Sequence, residues 1–314
     1  MNPPSKAKHV SRCLELAILL EASAHKPGNV SVVTDFENTR YEHFLASAVA
    51  ASSFFEQATE RGIVVSEGNM PVSSVSIGQI IRDCVADIDA WQHGGNTLLG
   101  TIILLAPIAV AAGMMQSTDD FEIPALREKV KLVVESTTPE DAVDVYKAIR
   151  IANPSGLGKA SKLDINDPNS MNTILVEKTS LYQVFKIAEK YDMICSEWVN
   201  NYHVTFDIAY PSLTRQIRGS INISTATIQT FIEVLAEYPD TFIARKTSLR
   251  KAEEISSKAR QILELGGLET PAGKVSLRRL DQKLRKSSNL LNPGTTADII
   301  AGGLALCVLA GYRP

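Results

Sequence analysis

Cysteine and histidine are sparse in this chain and scattered where they occur. Cys13, Cys84, Cys195 and Cys307 form no C-x-x-C pair, and the five histidines show no H-E-x-x-H spacing. This removes a structural zinc site, a dithiol redox motif and a zinc hydrolase from consideration, and leaves thiols expected to be reduced and packed. A G-x-S-x-G elbow is missing, so a serine hydrolase of that kind is excluded too. No stretch alternates apolar and polar residues as a half-buried strand would. Charge of one sign is also lacking: 32 Lys and Arg stand against 35 Asp and Glu, a net −3 that offers no global field for nucleic acid. Residues 1–12 are polar and basic and lead into an amphipathic segment with Glu15 and Glu21 rather than an apolar leader core. The sequence therefore predicts no secretory signal and a cytoplasmic location. Finally, there is no convincing linker, repeat or low-complexity tract, which predicts one domain over residues 1–314.

What is present is helical periodicity. Hydrophobic residues make up 45% of 314, enough for one large core. Segments of helical period run over about 5–24, 40–60, 75–91, 97–115, 123–134, 139–152, 177–203, 224–237, 249–265, 275–287 and 295–311, and predict an all-α fold. Thr97 to Met115 holds no charged residue and approaches the length of a membrane span. Gly100, Pro107 and Gly113 punctuate it and only Ile299 to Ala310 could partner it, so it is read as a buried central helix. Thr138-Pro139-Glu140-Asp141 is a helix start with Thr138 as N-cap and Asp141 at N3, which makes Asp141 structural. Asn153 to Asn172, rich in Gly, Ser, Asp and Asn, reads as a long loop.

Three short Pro/Gly turns carrying Asn lie beside apolar helices: His25-Lys26-Pro27-Gly28-Asn29, His93-Gly94-Gly95-Asn96-Thr97 and Asn292-Pro293-Gly294-Thr295-Thr296-Ala297-Asp298. Turns of this kind present backbone N–H groups where anions are favoured. In the first, Pro27 ends the helix while Lys26 and Asn29 project a cation and an amide from a rigid corner. In the second, Asn96 or Thr97 is the expected N-cap, and two adjacent glycines suit a place where a ligand meets main chain. In the third, Thr295 as N-cap and Asp298 at N3 resemble a capping box, although a carboxylate there could also hold Mg²⁺ on a phosphate chain. Asp240, followed by Thr241, Arg245 and Lys246, reads either as a cap before a solvated basic pair or as a metal ligand with phosphate-neutralising cations. Asp192, Ser196 and Glu197 could share a metal or form a solvated face. Gly156-Leu157-Gly158-Lys159 lacks the Walker A pattern and is rejected as one.

Taken in order, Lys26-Pro27-Gly28-Asn29-Val30, Asn96-Thr97-x-x-Gly100, Thr137 to Ala142, Asp240-Thr241 with Arg245, and Asn292 to Asp298 resemble the triphosphoribosyl-dephospho-CoA synthase family. That resemblance implies a helical cytoplasmic transferase that moves the triphosphoribosyl group of ATP onto the ribose 2′-hydroxyl of dephospho-CoA, releases adenine and uses a divalent cation, Mg²⁺. The product is a prosthetic-group precursor. The chain departs from the family's Gly-x-His-x-Asp-Met stretch at Val33 to Tyr41, and Leu98-Leu99 replaces His-Lys. The Lys-Pro-Gly-Asn form is similar to a branch with methanopterin-type one-carbon metabolism, so a different acceptor is the alternative. A Mg²⁺-dependent nucleotide hydrolase and a non-catalytic nucleotide-binding protein are further alternatives. The expected site gives Lys26, Arg245 and Lys246 the phosphates, and Asp240 and Asp298 the Mg²⁺. Gly28, Asn29, Asn96, Thr97, Asn292, Gly294 and Thr295 bind substrate, and Glu21 is the general base ahead of Asp35, Asp192 and Glu197. Asp240 and Lys26 are also expected to act in catalysis, with no nucleic-acid or membrane partner and a homo-oligomer left open.

Overall fold

The computed structural model describes residues 5–158, 160, 162–219, 222–286 and 289–314. Among them the chain forms fifteen α-helices and no extended strand. The first six are α1 (Lys6–Ser23), α2 (Tyr41–Ser66), α3 (Ile77–Trp91), α4 (Leu99–Met114), α5 (Ile123–Glu135) and α6 (Pro139–Ala152). Three short helices follow: α7 (Ser170–Val176), α8 (Leu181–Ala188) and α9 (Met193–Val199). The rest are α10 (Tyr210–Arg218), α11 (Ile223–Glu237), α12 (Thr241–Lys246), α13 (Leu249–Glu264), α14 (Pro271–Arg285) and α15 (Gly294–Leu309).

The all-helical expectation holds, with local departures. The long period over 177–203 is cut into α8 and α9, because Asp192 caps α9 through its side chain and Asn201 and Tyr202 adopt φ of 53° and 55°. A π-helical turn, Val204–Ala209, then leads straight into α10. The polar loop ends at Asn169 rather than Asn172, where α7 begins. The start of α14 lies at Pro271, four residues earlier than the apolar period suggests, because Thr270 caps it and Pro271 fits the first helical turn. Lys159 and the expected helix end at residue 287 lie outside the described residues.

At the centre, every residue of α4 from Thr101 to Met114 is buried, and α15 is nearly as enclosed. α1, α2, α3, α5, α9 and α15 all pack on α4. Contact with α2 is backbone to backbone: a Cβ on Gly62 would lie 2.0 Å from the Val110 carbonyl oxygen, and one on Gly113 2.2 Å from that of Thr59. Pro107 sits within α4 and has no N–H to give the carbonyl four residues earlier, that of Ile103. The buried Trp198 indole fills that vacancy, its Nε1 donating to Ile103 O at 3.1 Å, and the Tyr202 hydroxyl donates to Leu104 O beside it at 3.1 Å.

Asp141 is structural, as expected. Its Oδ2 accepts from Thr138 N at 2.8 Å, while Oδ1 reaches α3 and accepts from Gly78 N at 2.8 Å. All four cysteines are free and buried, and among the described residues no helix is long and apolar enough to cross a membrane.

Candidate active site

The first turn is built inward. α1 stops at Ser23 with Ala24 extended, so Pro27 opens a rigid corner instead of ending the helix. Lys26 folds back beneath α1 and is 1% exposed. Its Nζ donates to Glu21 O and to Ala24 O at 3.0 Å, and lies 2.9 Å from Glu21 Oε1. A cation that satisfies the last carbonyls of a helix stabilises its C-terminus. The ammonium therefore makes two backbone hydrogen bonds and an ion pair inside the protein, a correction to the reading in which Lys26 projects towards phosphate.

Gly28 is required twice over. Its φ is 73°, and a Cβ there would meet Leu284 Cβ at 2.9 Å and Pro293 Cδ at 3.1 Å. α14 clamps this turn: Asp281 Oδ1 accepts from Gly28 N at 2.8 Å and from Arg285 Nε at 2.8 Å, and Arg285 Nη2 donates to Asn29 O at 2.6 Å. Asn29 spends its own amide on Pro27 O at 3.2 Å. Two polar atoms at this junction, Arg285 Nη1 and Asn292 Oδ1, are buried with no hydrogen-bond partner. Sequence reasoning missed Asp281 and Arg285, whose only signal was an ordinary i, i+4 pair at a helix end.

Asp240 and Asp298 occupy different niches. Asp240 is fully buried and serves two helices: Oδ1 accepts from Ile243 N at 3.0 Å in α12, and Oδ2 from Thr296 N at 2.7 Å and Thr296 Oγ1 at 2.8 Å in α15. Burial raises its pKa, opposed by those donors and by Arg245. Asp298 is no cap, since α15 begins at Gly294 behind Pro293 with no side-chain cap bond. Instead its Oδ1 accepts from Thr101 Oγ1 of α4 at 2.6 Å, and Oδ2 fills the space over Gly100, where a Cβ would sit 2.1 Å away. Asp298 keeps some accessible surface. Even so, burial, reinforced by the charges of Glu21 and Asp240, pushes its carboxyl up to about 8 against the Thr101 bond that opposes it. Asp298 thus lies where α1, α4 and α15 meet, within electrostatic reach of Glu21 and, from its separate niche, of Asp240.

The remaining candidates divide into spent and available groups. Arg245 is ion-paired with Asp192, which also accepts from Ile194 N at 2.9 Å. Lys246 donates to Asn289 O at 2.6 Å and lies 4.3 Å from the centre of the Phe242 ring. Gly294 abuts the same ring and Thr295 Oγ1 accepts from Thr241 Oγ1 at 3.2 Å, so both link α12 to α15. Asn96 Oδ1 accepts from Leu99 N at 3.1 Å, and Thr97 shares a 2.7 Å hydroxyl contact with Ser47. The N-cap of α4 is Leu98, so neither is the cap expected, yet both sit just ahead of Gly100 and Thr101. Among the rival bases, Glu197 accepts from Val204 N and Thr205 N at 2.8 Å each, and Asp35 from Tyr41 N at 2.9 Å. Glu21, held by Lys26 beside Asp298, is the rival without such a backbone role. Among the described residues, no group of three or more His, Cys, Asp or Glu side chains could hold a metal ion by itself.

The comparisons with known proteins give the class first: the chain is a transferase. A family model described as ATP:dephospho-CoA triphosphoribosyl transferase (CitG) matches residues 7–313, and the chain belongs to that family. Its activity is the transfer of the triphosphoribosyl group of ATP to dephospho-CoA, a pentosyl transfer. A solved structure from Archaeoglobus fulgidus, provisionally assigned as a triphosphoribosyl-dephospho-CoA synthase, has the same fold. It superposes with a TM-score of 0.62 at 23% identity, covering 86% of this chain and all of that one. No curated protein matches the chain.

Proposed function

We propose that the recess formed by Glu21, Gly100, Thr101 and Asp298 is where the triphosphoribosyl group of ATP passes to the 2′-hydroxyl of dephospho-CoA. The bond from C1′ to adenine breaks, the bond from C1′ to the acceptor oxygen forms, and positive charge develops on the sugar between them. Glu21 takes the acceptor's proton at its carboxylate. Lys26, tied to the Glu21 backbone as well as its side chain, fixes that carboxylate and balances its charge. Glu21, and Asp298 once ionised, favour a positively charged sugar from positions set by packing. Adenine leaves as the neutral base after taking one proton from solvent, and Glu21 returns the acceptor's proton to solvent, so the protons balance.

The donor chemistry fits Mg²⁺ only in part. Both Asp240 oxygens already accept protein donors, so Asp240 fits as a bridge between helices and not as a ligand. Asp298, crowded by like charge, fits as the one carboxylate that such an ion needs when phosphate oxygens and water complete its shell. When bound, Mg²⁺ supplies neutralisation of the triphosphate. The observation that carries the proposal is the convergence of Glu21 and Asp298, one anchored by a buried cation and the other pressed against a glycine that admits it. The test is adenine release: adenine from ATP should appear only when dephospho-CoA is present. Phosphate release with no adenine would replace the transfer reading with a hydrolase, and transfer to a different 2′-hydroxyl nucleotide would replace the acceptor.

A further inference from the structure

Lys26 is buried on its own partners and Arg245 is ion-paired with Asp192 through Nη1, so a substrate's phosphate chain calls for further cations. Such cations lie just outside the Asn292-Pro293-Gly294 turn. A recess of about 340 Å³ opens between the start of α13 and the residues leading to Asn292, lined by Thr247, Ser248, Arg250, Lys251, Leu290 and Leu291. This falls in the size range of small-molecule sites. Thr247 follows Lys246 directly, and Leu291 precedes Asn292, so the recess adjoins the junction that carries the unpartnered Asn292 Oδ1.

The electrostatics are lopsided. Glu254 is the one carboxylate on the lining, and it is shared by Lys251 at 2.9 Å and Arg250 at 3.8 Å, with Lys283 of α14 also acting on it. Lys258 and Lys283 form no ion pair among the described residues, and Lys283 has its pKa lowered by burial and then by Lys258 and Lys251. Arg250, Lys251 and Lys283 all act on this one carboxylate and Lys258 acts on Lys283, a local surplus of positive charge that an entering anion would offset. Leu290 and Leu291 add apolar lining of the kind a nucleoside or alkyl arm next to phosphates would cover.

We infer that this recess is the phosphate-chain subsite for a nucleotide substrate of the transfer reaction, with Arg250, Lys251 and Lys283 as its anion ligands. The inference rests on the nucleotide-transferase reading. ATP offers a triphosphate and dephospho-CoA a diphosphate, and both present the same chemistry to these cations.

The test is isothermal titration of the full-length wild type and of an Arg250→Ala/Lys251→Ala/Lys283→Ala variant, at fixed ionic strength, with ATP, dephospho-CoA and inorganic triphosphate. These side chains are surface groups whose truncation should move the melting temperature by no more than about 3 °C, which verifies folding. Affinity for one nucleotide should fall about 10- to 100-fold while the other stays within about twofold. Loss of ATP together with inorganic triphosphate places the ATP chain here, and loss of dephospho-CoA alone places the acceptor here. Unchanged affinity for both nucleotides, or an equal loss for both, overturns the inference. Failure of the wild type to release adenine is a separate result: it removes the transfer reading and leaves the titrations interpretable.

Discussion

Replacing Lys26 with methionine tests whether its ammonium is a buried structural charge or a phosphate ligand. The side chain is 1% exposed, and its Nζ contacts Glu21 Oε1, Glu21 O and Ala24 O. Lys26→Met leaves the Glu21 carboxylate buried and unpaired beside Asp298, and strips two helix-end carbonyls of their donor. Losing one partner of a buried pair costs about 3–5 kcal/mol, and the carbonyls add about 1 kcal/mol or more. A total near 4 kcal/mol is expected after relaxation. Glu21→Gln should cost less, about 2 kcal/mol, because Lys26 keeps two carbonyl acceptors and the repulsion on Asp298 falls. The double variant should be more stable than Lys26→Met alone by about 2 kcal/mol, since no lone charge is left in the recess. Urea unfolding followed by the fluorescence of Trp198, which is buried against α4, reads these differences. A loss below about 1 kcal/mol for Lys26→Met, or a double variant no better than that single one, would refute the assignment. In the folded fraction ATP affinity should stay within about threefold of wild type, whereas a phosphate ligand would lose about tenfold or more.

Other outcomes follow from the same geometry. Gly100→Ala puts a methyl 2.1 Å from Asp298 Oδ2 and should cut turnover by about 100-fold or more while the chain stays folded, as steady-state adenine release and circular dichroism would show together. Gly62→Ala drives a Cβ to 2.0 Å from a backbone carbonyl that cannot turn aside, and should cost more than about 3 kcal/mol in thermal or urea melts. Stability should depend on pH with an unusual sign. Asp141, Glu197 and Asp240 have carboxyls raised by burial, and Asp298 is pushed up to about 8, so the folded state holds these protons more tightly than the unfolded chain. Stability from them is full below the ordinary carboxylate range and is lost as pH rises through the raised values. In chelator-treated protein the urea midpoint should therefore rise from pH 8 to pH 5, and Asp298→Asn should flatten that slope. A wild-type midpoint highest at pH 8 would contradict the assignment.

The fold was legible because its signals are local. Thr138 and Asp141 wrote the start of α6 in four residues, and the uncharged run of α4 announced a buried helix. α12 escaped because six residues carry too little period, and the break between α8 and α9 escaped because Asp192 looks like a surface acid until it caps a helix. For the site, the right segments were readable but not the direction of their side chains. Lys26 and Arg245 look like free cations in one dimension, and only packing shows each paired with a carboxylate of this chain. Asp240 and Asp298 appeared equivalent, yet one is saturated by backbone donors and the other is pressed against Gly100. Asp281 and Arg285 gave no warning, since their partners lie about 250 residues away along the chain.

The encasement of α4 has a mechanical side. A rod that is apolar on every flank fits its sleeve about equally well at many angles of rotation, so hydrophobicity alone cannot choose which way Gly100 and Thr101 face. That choice falls to a few keys cut into the rod: the glycine notch against α2, and the bare carbonyl below Pro107 that accepts the Trp198 indole. The angle at which Asp298 is met is thus set by residues that never approach a substrate, and a worn key at Trp198 would mistime the site while leaving the sleeve intact.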